Sequence, residues 1–212
     1  DGLRLTVDDD TDGAAALAPR EAHLRRPPAF VGGARDLGEL ACEATFDLEF
    51  GFSCMGYEIA AGWGCAMAQD GPGGVGGTPI VMLGDGTYMM MNSDIYSTVL
   101  SGHKMVVIVC DNGGYAVISR LQQFKGVPGF NNLLKDCRIK NKDNPVHVDF
   151  AKHAEAMGAA ARSCESLADL EAALEWAKGT DRTTVITIVT DAYSLLPGDA
   201  DWDVCVPEVS YR

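Results

Sequence analysis

The feature that most constrains the fold of this chain is a pair of continuous apolar runs, each of which ends in a short polar group. Residues 79–83 (PIVML) are followed by residues 84–87 (GDGT), and residues 105–110 (MVVIVC) are followed by residues 111–112 (DN). Apolar runs without alternation predict strands buried on both faces, as in a parallel sheet covered by helices. Both polar groups then lie at the carboxyl ends of strands, where open α/β sheets bind ligands.

Helix and strand signals alternate along much of the remaining chain. Helices are predicted over residues 54–67 and 92–100, from Asp149 through residue 157, and from Ser166, with Asp169 in a capping box, to near Gly179. Further strands are predicted at residues 159–164 and 183–190, and loops at residues 71–77, 111–115 and 125–148, the last with room for one short helical turn. This alternation predicts βαβ crossovers and an α/β fold, an open parallel sheet with helices on both faces.

Composition divides the chain into three predicted parts. Residues 1–45 are rich in Asp, Ala, Arg and Gly and lack a sustained period, which predicts a poorly ordered lead-in. Residues 46–195 carry the alternating elements and form the predicted domain, and residues 196–212 form a C-terminal tail. Because the chain begins with Asp rather than Met, we expect a fragment or a processed product.

The charge balance of the chain excludes one class of partner. There are 17 Lys and Arg residues against 30 Asp and Glu, which gives a formal net charge of −13. Nonspecific binding to nucleic acid requires clustered basic residues, and this chain lacks them. An anionic cofactor would therefore need a metal ion to neutralise it.

Cysteine usage and hydropathy indicate the compartment. The seven cysteines are scattered, with no CxxC pair and no zinc-ligand spacing, so we expect reduced, structural thiols rather than a secreted disulfide scaffold. No apolar run approaches the roughly 18 residues that a membrane span requires. These patterns predict a cytoplasmic protein that does not cross a membrane.

The polar residues at the two strand ends suit a hard cation bound to diphosphate. Such a cation prefers oxygen ligands in a near-octahedral array, and Asp85, Asn112 and the carbonyl of Gly114 can supply them. The glycines beside Asp85 let the backbone approach phosphate, and a helix starting just beyond would point its N-terminal amides at the anion. Gly-Asp-Gly alone is an ordinary turn, but together with Asn112 it favours a metal and diphosphate site.

Other polar and sulfur-containing residues have simpler interpretations. Three histidines show no metal-ligand spacing and are expected on the surface or in loops: His103, His147 and His153. Asn131 and Asn132 do not follow a strand and are interpreted as loop polarity. Residues 89–91 (MMM) are expected to pack in the core at the start of a helix. Glu58 is expected to be solvated or paired.

The spacing of the site residues resembles a known cofactor signature. Residues 84–86 (GDG), followed after 24 residues by Asp111 and Asn112, are similar to the thiamine-diphosphate motif of the acetolactate synthase and pyruvate decarboxylase superfamily. The resemblance implies the thiamine-diphosphate-binding fold, in its pyrophosphate domain, with thiamine diphosphate and Mg²⁺ as cofactors. The counterparts of Asp85, Asn112 and the Gly114 carbonyl hold the magnesium in that superfamily.

Longer stretches resemble one branch of the superfamily, the trihydroxycyclohexanedione hydrolases of myo-inositol catabolism. The similar stretches are residues 49–60, 84–95, 130–136 and 202–210. The resemblance covers about residues 49–211 and leaves out residues 1–45, and Gly113 stands where Arg is expected. It implies a hydrolase that breaks a C–C bond and opens the cyclic 1,2-dione to 5-deoxyglucuronate. An acetolactate synthase-like lyase or ligase and a non-catalytic cofactor-binding fragment are the alternatives.

The same resemblance implies roles for further residues. The counterpart of Met55 wedges the cofactor into a bent shape, while the N–H of Met55 and the carbonyl of Ser53 hold the aminopyrimidine. Gly86, Thr87 and Tyr115 are expected to contact the cofactor. The glutamate that completes the site belongs to a pyrimidine-binding domain, usually of a second subunit in a homodimer or homotetramer, and is not expected within these 212 residues. We therefore expect the chain alone to bind the cofactor weakly and not to turn over.

Overall fold

A parallel sheet forms the centre of the described part of the chain. The computed structural model describes residues 30–32, 46–47, 54–72, 74, 77–124, 126–136 and 146–194. The strands in these residues are β1 (Phe30–Gly32), β2 (Phe46–Asp47), β3 (Ile80–Gly84), β4 (Val106–Asp111), β5 (Ala160–Cys164) and β6 (Thr184–Val189). Each pairs in parallel with its neighbours in the order β2-β1-β3-β4-β6-β5. The predicted α/β fold with an open parallel sheet is confirmed.

Helices connect most of these strands. Those in the described residues are α1 (Tyr57–Asp70), α2 (Asp85–Met91), α3 (Ser93–Ser101), α4 (Ala116–Phe124), α5 (Phe150–Ala156) and α6 (Leu167–Lys178), and Leu134–Asp136 forms one 3-10 turn. None of the helices in this part of the chain is long and apolar enough to cross a membrane.

The sheet buries apolar side chains on both faces, because successive residues of a strand point to opposite sides. On one face the strands pack against α1, α2, α3 and α5, with a core that contains Val81, Leu83, Val107, Val109, Val185, Ile59, Tyr88, Ile95 and Phe150. On the other face they pack against α6, with a core that contains Val106, Ile108, Ile186, Leu170, Ala173 and Ala177. Helices on both faces were predicted from the continuous apolar runs, and this prediction is confirmed.

The register of the central strands brings the predicted site residues to one edge. Gly84, the last residue of β3, pairs with Cys110 of β4, and Asp111 pairs with Val189 of β6. Because the strands are parallel, the residues that follow β3 and β4 leave the sheet at the same edge. Asp85 and Asn112 therefore lie at the carboxyl edge of the sheet, as the sequence predicts.

Two helices differ from expectation. The first was predicted to begin at residue 54, but α1 begins at Tyr57 because Gly56 has a left-handed conformation (φ 97°) that a right-handed helix does not accept. Helix α4 was not predicted. Its apolar residues Val117, Leu121 and Phe124 do recur at helical spacing in the sequence, but the helix buries only Ser119.

Part of the predicted lead-in belongs to the sheet. β1 lies within residues 1–45 and pairs with β3, so the interpretation of this whole segment as a poorly ordered lead-in is wrong for those three residues. A three-residue strand is too short to show a period in the sequence. The other residues of 1–45 and all of 196–212 lie outside the described residues, and the domain boundaries at 46 and 195 stay predictions.

Candidate metal and diphosphate site

Asp85 lies at the junction between β3 and α2. Gly84 is extended (φ −78°, ψ 161°), and the helix begins at Asp85 itself. The Asp85 side chain is buried, and its Oδ2 accepts a hydrogen bond from the backbone N–H of Gly114 at 2.6 Å. The carboxylate that ends one strand is therefore held by the loop that follows the neighbouring strand.

The loop after β4 turns at two consecutive glycines. Gly113 and Gly114 have φ values of 78° and 140°, which residues with a side chain rarely adopt. Asp111 is buried, and its Oδ1 accepts a hydrogen bond from the Gly113 N–H at 3.1 Å. Glycine at position 113, where the resemblance implies Arg, suits this conformation. The turn directs the Gly114 N–H toward Asp85.

The side-chain amide of Asn112 can take two orientations at this place. With its nitrogen turned inward, it donates to Asp85 Oδ1 at 3.1 Å and to the carbonyl oxygen of Gly114 at 2.8 Å. With its oxygen turned inward, the Asn112 amide oxygen faces Asp85 Oδ1 and the Gly114 carbonyl oxygen at the same separations, and no hydrogen lies between the oxygens. Neighbouring oxygens of an octahedral Mg²⁺ with bonds of about 2.1 Å are about 3 Å apart. The donor set and its spacing thus fit an octahedral cation.

This set contains one carboxylate, one amide and one carbonyl, which distinguishes it from the usual clusters of ionisable ligands. Among the described residues there is no group of three or more His, Cys, Asp and Glu that could hold a metal ion. A hard cation such as Mg²⁺ accepts neutral oxygen ligands, so the absence of such a group does not bear on the three oxygens described here.

Burial controls the ionisation of Asp85. Removal from water raises the pKa of the Asp85 carboxyl, the hydrogen bond from Gly114 lowers it, and the negative charge of Asp111 raises it again. The net direction is upward from the ordinary value of 3.8. A cation bound at Asp85 would therefore stabilise the ionised carboxylate.

Three further residues that were predicted to contact a cofactor adjoin this group. Gly86 and Thr87 are buried in the first turn of α2, directly after Asp85. The ring of Tyr115 packs against Gly86 so closely that a Cβ there would lie 2.5 Å and 2.7 Å from ring carbons Cδ1 and Cε1. The structure thus brings the predicted residues that follow the two strands into one place.

The segment that follows α4 closes one side of this group. The N–H of Tyr115 donates to the carbonyl of Asn132 at 2.7 Å, and the N–H of Leu134 donates to the carbonyl of Gly113 at 2.9 Å. Together they form a short antiparallel bridge centred on Gly114. The interpretation of Asn132 as loop polarity did not anticipate this contact with the site.

A histidine also contacts the end of β4. His147 Nε2 lies 2.9 Å from Asp111 Oδ2, and the His147 ring packs edge-on against Phe150. His147 was expected only on the surface or in a loop. Asp111 and His147 are far apart in the sequence, and no pattern links them. The other two histidines in the described residues are also paired, His103 with Asp70 and His153 with Tyr88.

Of the two residues predicted to hold the aminopyrimidine, only Met55 lies in the described part of the chain. Ser53 lies outside the described residues. Met55 is 38% exposed and precedes Gly56, whose Cα packs against the side chain of Met91 at the end of α2. This contact places the turn that carries Met55 beside the helix that begins at Asp85.

The expectation that residues 89–91 pack in the core is wrong. Met89, Met90 and Met91 are 45%, 48% and 36% exposed. Only the first four residues of α2 are buried. The methionines that follow them in the same helix lie on the surface.

Comparison with known families and curated proteins gives consistent matches. Residues 37–188 match the family model described as the C-terminal, thiamine pyrophosphate-binding domain of thiamine pyrophosphate enzymes. A 3D-(3,5/4)-trihydroxycyclohexane-1,2-dione hydrolase of Clostridium botulinum is 30% identical over 99% of this chain and 31% of its own length. One of Listeria monocytogenes is 34% identical over 98% of this chain and 31% of its own length. The chain thus spans about a third of the length of these relatives.

Because the first of these alignments covers 99% of the chain, the expectation that residues 1–45 take no part in the resemblance is wrong. Among solved structures, a benzoylformate decarboxylase from Polynucleobacter necessarius has a TM-score of 0.65 and 19% identity, over 92% of this chain and 36% of that one. A thiamine diphosphate-dependent 4-hydroxybenzoylformate decarboxylase from Rhodococcus jostii RHA1 has a TM-score of 0.58 and 18% identity, over 70% and 25%. At these identities the likeness concerns the fold alone.

Proposed function

The chain belongs to the family of C-terminal, thiamine pyrophosphate-binding domains of thiamine pyrophosphate enzymes, and we propose that it holds thiamine diphosphate through Mg²⁺ at the carboxyl edge of its sheet. One observation carries this proposal. The Asn112 side chain meets Asp85 Oδ1 and the Gly114 carbonyl at 3.1 Å and 2.8 Å, which are the separations expected between neighbouring ligands of Mg²⁺.

In this proposal each of the three groups has a separate task. Asp85 provides the negative charge that attracts the cation, while Asn112 and the Gly114 carbonyl complete one side of its coordination without adding charge. The diphosphate would supply further oxygen ligands on the other side. The hydrogen bond from the Gly114 N–H to Asp85 Oδ2 leaves Oδ1 turned toward Asn112.

The charges of the chain explain why a cation is needed for an anionic cofactor. The chain carries a formal net charge of −13, and the two buried carboxyl groups at this edge, Asp85 and Asp111, would repel a diphosphate. A divalent cation between carboxylate and diphosphate reverses this repulsion. We expect cofactor binding to depend strictly on the metal for this reason.

Other residues of the chain would orient the cofactor. Gly86 and Thr87 follow Asp85 in the buried first turn of α2 and would lie against the diphosphate, with the Tyr115 ring behind Gly86. Met55, on the exposed turn beside α2, would contact the thiazolium and, with Ser53, the aminopyrimidine. When bound, thiamine diphosphate supplies a nucleophilic carbon and an electron sink that allow a C–C bond next to a carbonyl to break.

We propose hydrolytic ring opening of trihydroxycyclohexane-1,2-dione as the reaction, in the catabolism of myo-inositol. Curated relatives that share 30% and 34% identity over nearly the whole chain carry this name. Since the chain spans about 31% of their length, we further propose that a pyrimidine-binding domain of a second subunit supplies the remaining catalytic groups. The working form would then be a cytoplasmic homodimer or homotetramer.

The experiment that tests this function compares two substrates. The chain, joined to a pyrimidine-binding domain and supplied with Mg²⁺ and thiamine diphosphate, is incubated with the cyclic dione or with pyruvate, and the loss of each is followed by chromatography. We expect the dione to be consumed and pyruvate to persist. Consumption of pyruvate alone would identify an acetolactate synthase-like enzyme, and cofactor binding without consumption of either would identify a non-catalytic module.

A further inference from the structure

We propose that Asn132 is a positioning residue for the peptide group of Gly114, and that it acts through its side-chain hydrogen bond to Gln122 on α4. The inference rests on the function proposed above, because that peptide group would supply the carbonyl ligand of the metal. It gives a role to one residue of the Asn131-Asn132 pair, whose sequence pattern indicated only loop polarity.

The backbone is held by a hydrogen bond on each side of Gly114. Before it, the Gly113 carbonyl accepts a hydrogen bond from the Leu134 N–H, and after it, the Tyr115 N–H donates to the Asn132 carbonyl. A peptide plane anchored on both sides cannot rotate without breaking one of these bonds. The direction of the Gly114 carbonyl therefore depends on where residues 132–134 lie.

The backbones of Gly114 and Asn132 are in close contact. A Cβ at Gly114 would collide with the carbonyl oxygen of Asn132. Gly114 itself has a φ of 140°, which lies outside the regions that other residues favour. A displacement of Asn132 would therefore displace Gly114 as well.

Asn132 is itself held in place by a side-chain hydrogen bond to α4. Its Nδ2 donates to Oε1 of Gln122 at 2.5 Å, in a partly buried position. The preceding Asn131 has a φ of 53°, the left-handed conformation that asparagine tolerates better than most residues. The turn is therefore shaped by Asn131 and tied to α4 by Asn132. Leu133 of the same turn is buried.

The Asn132–Gln122 hydrogen bond affects the position of Gly114 more than the stability of the fold. Helix α4 starts directly after Tyr115, so the Asn132–Gln122 bond connects the far part of that helix back to the site. Neither side chain belongs to the two hydrophobic clusters that hold the sheet and helices together. Loss of the bond should therefore disturb the Gly114 carbonyl more than it lowers the unfolding temperature.

The test uses Asn132→Ala and Gln122→Ala, with Gln123→Ala as the matched control. Gln123 is the next residue of the same helix, and its Nε2 donates to Ser119 Oγ within α4. Calorimetric titration of the 212-residue chain with thiamine diphosphate at a series of Mg²⁺ concentrations gives the half-saturating Mg²⁺ concentration. The NMR shift of the Gly114 amide proton reports the hydrogen bond to Asp85 without any ligand.

We expect both test variants to raise the half-saturating Mg²⁺ concentration roughly tenfold, as for other groups that orient a metal ligand. The Gly114 amide proton should move upfield in both, and the double variant should be no worse than either single one because one bond is lost in each case. Gln123→Ala should match the parent chain in both measurements, and all unfolding temperatures should agree within a few degrees.

An unchanged Mg²⁺ requirement and an unchanged Gly114 amide in Asn132→Ala and Gln122→Ala would overturn the positioning role, as would an equal effect of Gln123→Ala. The proposed metal site is tested separately in the same series by Asp85→Ala. If Asp85→Ala abolishes Mg²⁺-dependent binding while the test variants bind normally, only the positioning role is wrong. If Asp85→Ala binds like the parent chain, the metal site and this inference are both wrong.

Discussion

At the scale of single residues, the glycines on either side of Asp85 meet different physical demands. Apart from Gly84 and its two chain neighbours, no atom lies within 4 Å of the place where a Cβ of Gly84 would be, and its φ of −78° suits any residue. A Cβ at Gly86 would instead press into the ring of Tyr115. The sequence motif treats the two glycines alike, whereas the structure requires only the second for packing.

Replacement of each glycine by alanine should therefore give opposite results. Gly86→Ala is expected to lower the free energy of unfolding by about 1–3 kcal/mol, the usual cost of overpacking a buried position. Gly84→Ala should leave it unchanged or raise it by up to about 1 kcal/mol, because alanine restricts the unfolded chain. Urea unfolding followed by circular dichroism measures both, and equal losses in the two variants would contradict the packing argument.

Asp85 is the residue on which the proposed metal site depends most. The Asp85→Ala substitution removes the only charged ligand of the proposed metal site. We therefore expect Mg²⁺-dependent binding of thiamine diphosphate to fall below detection by calorimetry. Asp181→Ala is the control, because it removes the same charge from an exposed position just before β6, at the opposite edge of the sheet. Unchanged affinity in Asp85→Ala, or equal loss in Asp181→Ala, would refute the assignment of the ligand.

The sequence predicted some site residues and not others for a physical reason. Asp85 and Asn112 directly follow buried strands, so their position at the sheet edge could be deduced from local patterns. His147 and Asn132 reach the site through loops, and a loop conformation depends on contacts that have no regular spacing. Such residues become visible only when the chain is folded.

At the scale of elements, two helices start at side-chain caps that were predicted from the sequence. Asp149 accepts a hydrogen bond from the Lys152 N–H at the start of α5, and Ser166 accepts one from the Asp169 N–H at the start of α6. These caps satisfy amide groups that have no partner inside the helix. Both predictions are confirmed because caps are encoded within four consecutive residues.

The cap of α5 should make stability depend on pH. The side chain and the backbone N–H of Lys152 lower the pKa of Asp149 below its ordinary value of 3.8, so the stabilisation is complete above that value and is lost as the pH falls through the lower, folded-state pKa. We expect Asp149→Ala to cost about 1 kcal/mol at pH 7 and progressively less below about pH 3.8.

Thermal unfolding at several pH values checks this prediction. The shift in unfolding temperature at pH 7 should be about 2–4 °C for a chain of this size. Asp149→Asn serves as the control, since its amide oxygen can still cap the helix and only the ionic contact with Lys152 is lost. A constant difference between Asp149→Ala and the parent chain down to pH 2 would show that the carboxylate does not act as the cap.

Buried strands were the elements that the sequence predicted best. β3, β4 and β6 were each located within about one residue, because a strand covered on both faces must be apolar throughout. Helix α4 was not predicted, although Val117, Leu121 and Phe124 recur at helical spacing in its sequence. In the structure Val117, Ile118 and Phe124 are exposed rather than packed in the core.

At the scale of the whole molecule, the site lies at an edge that leaves apolar side chains uncovered. The exposed methionines belong to the helix that begins at Asp85, and the exposed Met55 precedes Gly56, which lies beside Met91 of that helix. Exposed apolar groups beside a functional site are typical of surfaces that contact another protein domain. This arrangement supports the proposal that a second domain completes the site.

The 212-residue chain alone should therefore be inactive. We expect weak, Mg²⁺-dependent binding of thiamine diphosphate and no measurable loss of the cyclic dione. Addition of a pyrimidine-binding domain should tighten binding and restore turnover, which calorimetry and a chromatographic assay measure side by side. Turnover at a normal rate by the isolated chain would contradict the need for a second domain.

The two orientations of the Asn112 amide have a consequence for how such a protein is assembled. Before any ion arrives, the amide nitrogen can satisfy the oxygens of Asp85 and Gly114 by hydrogen bonding. In the proposed site, half a turn about one side-chain bond would then replace these hydrogens by a ligand oxygen. The same residue would first stand in for the metal and later bind it, so the polypeptide could complete its folding before the metal is loaded.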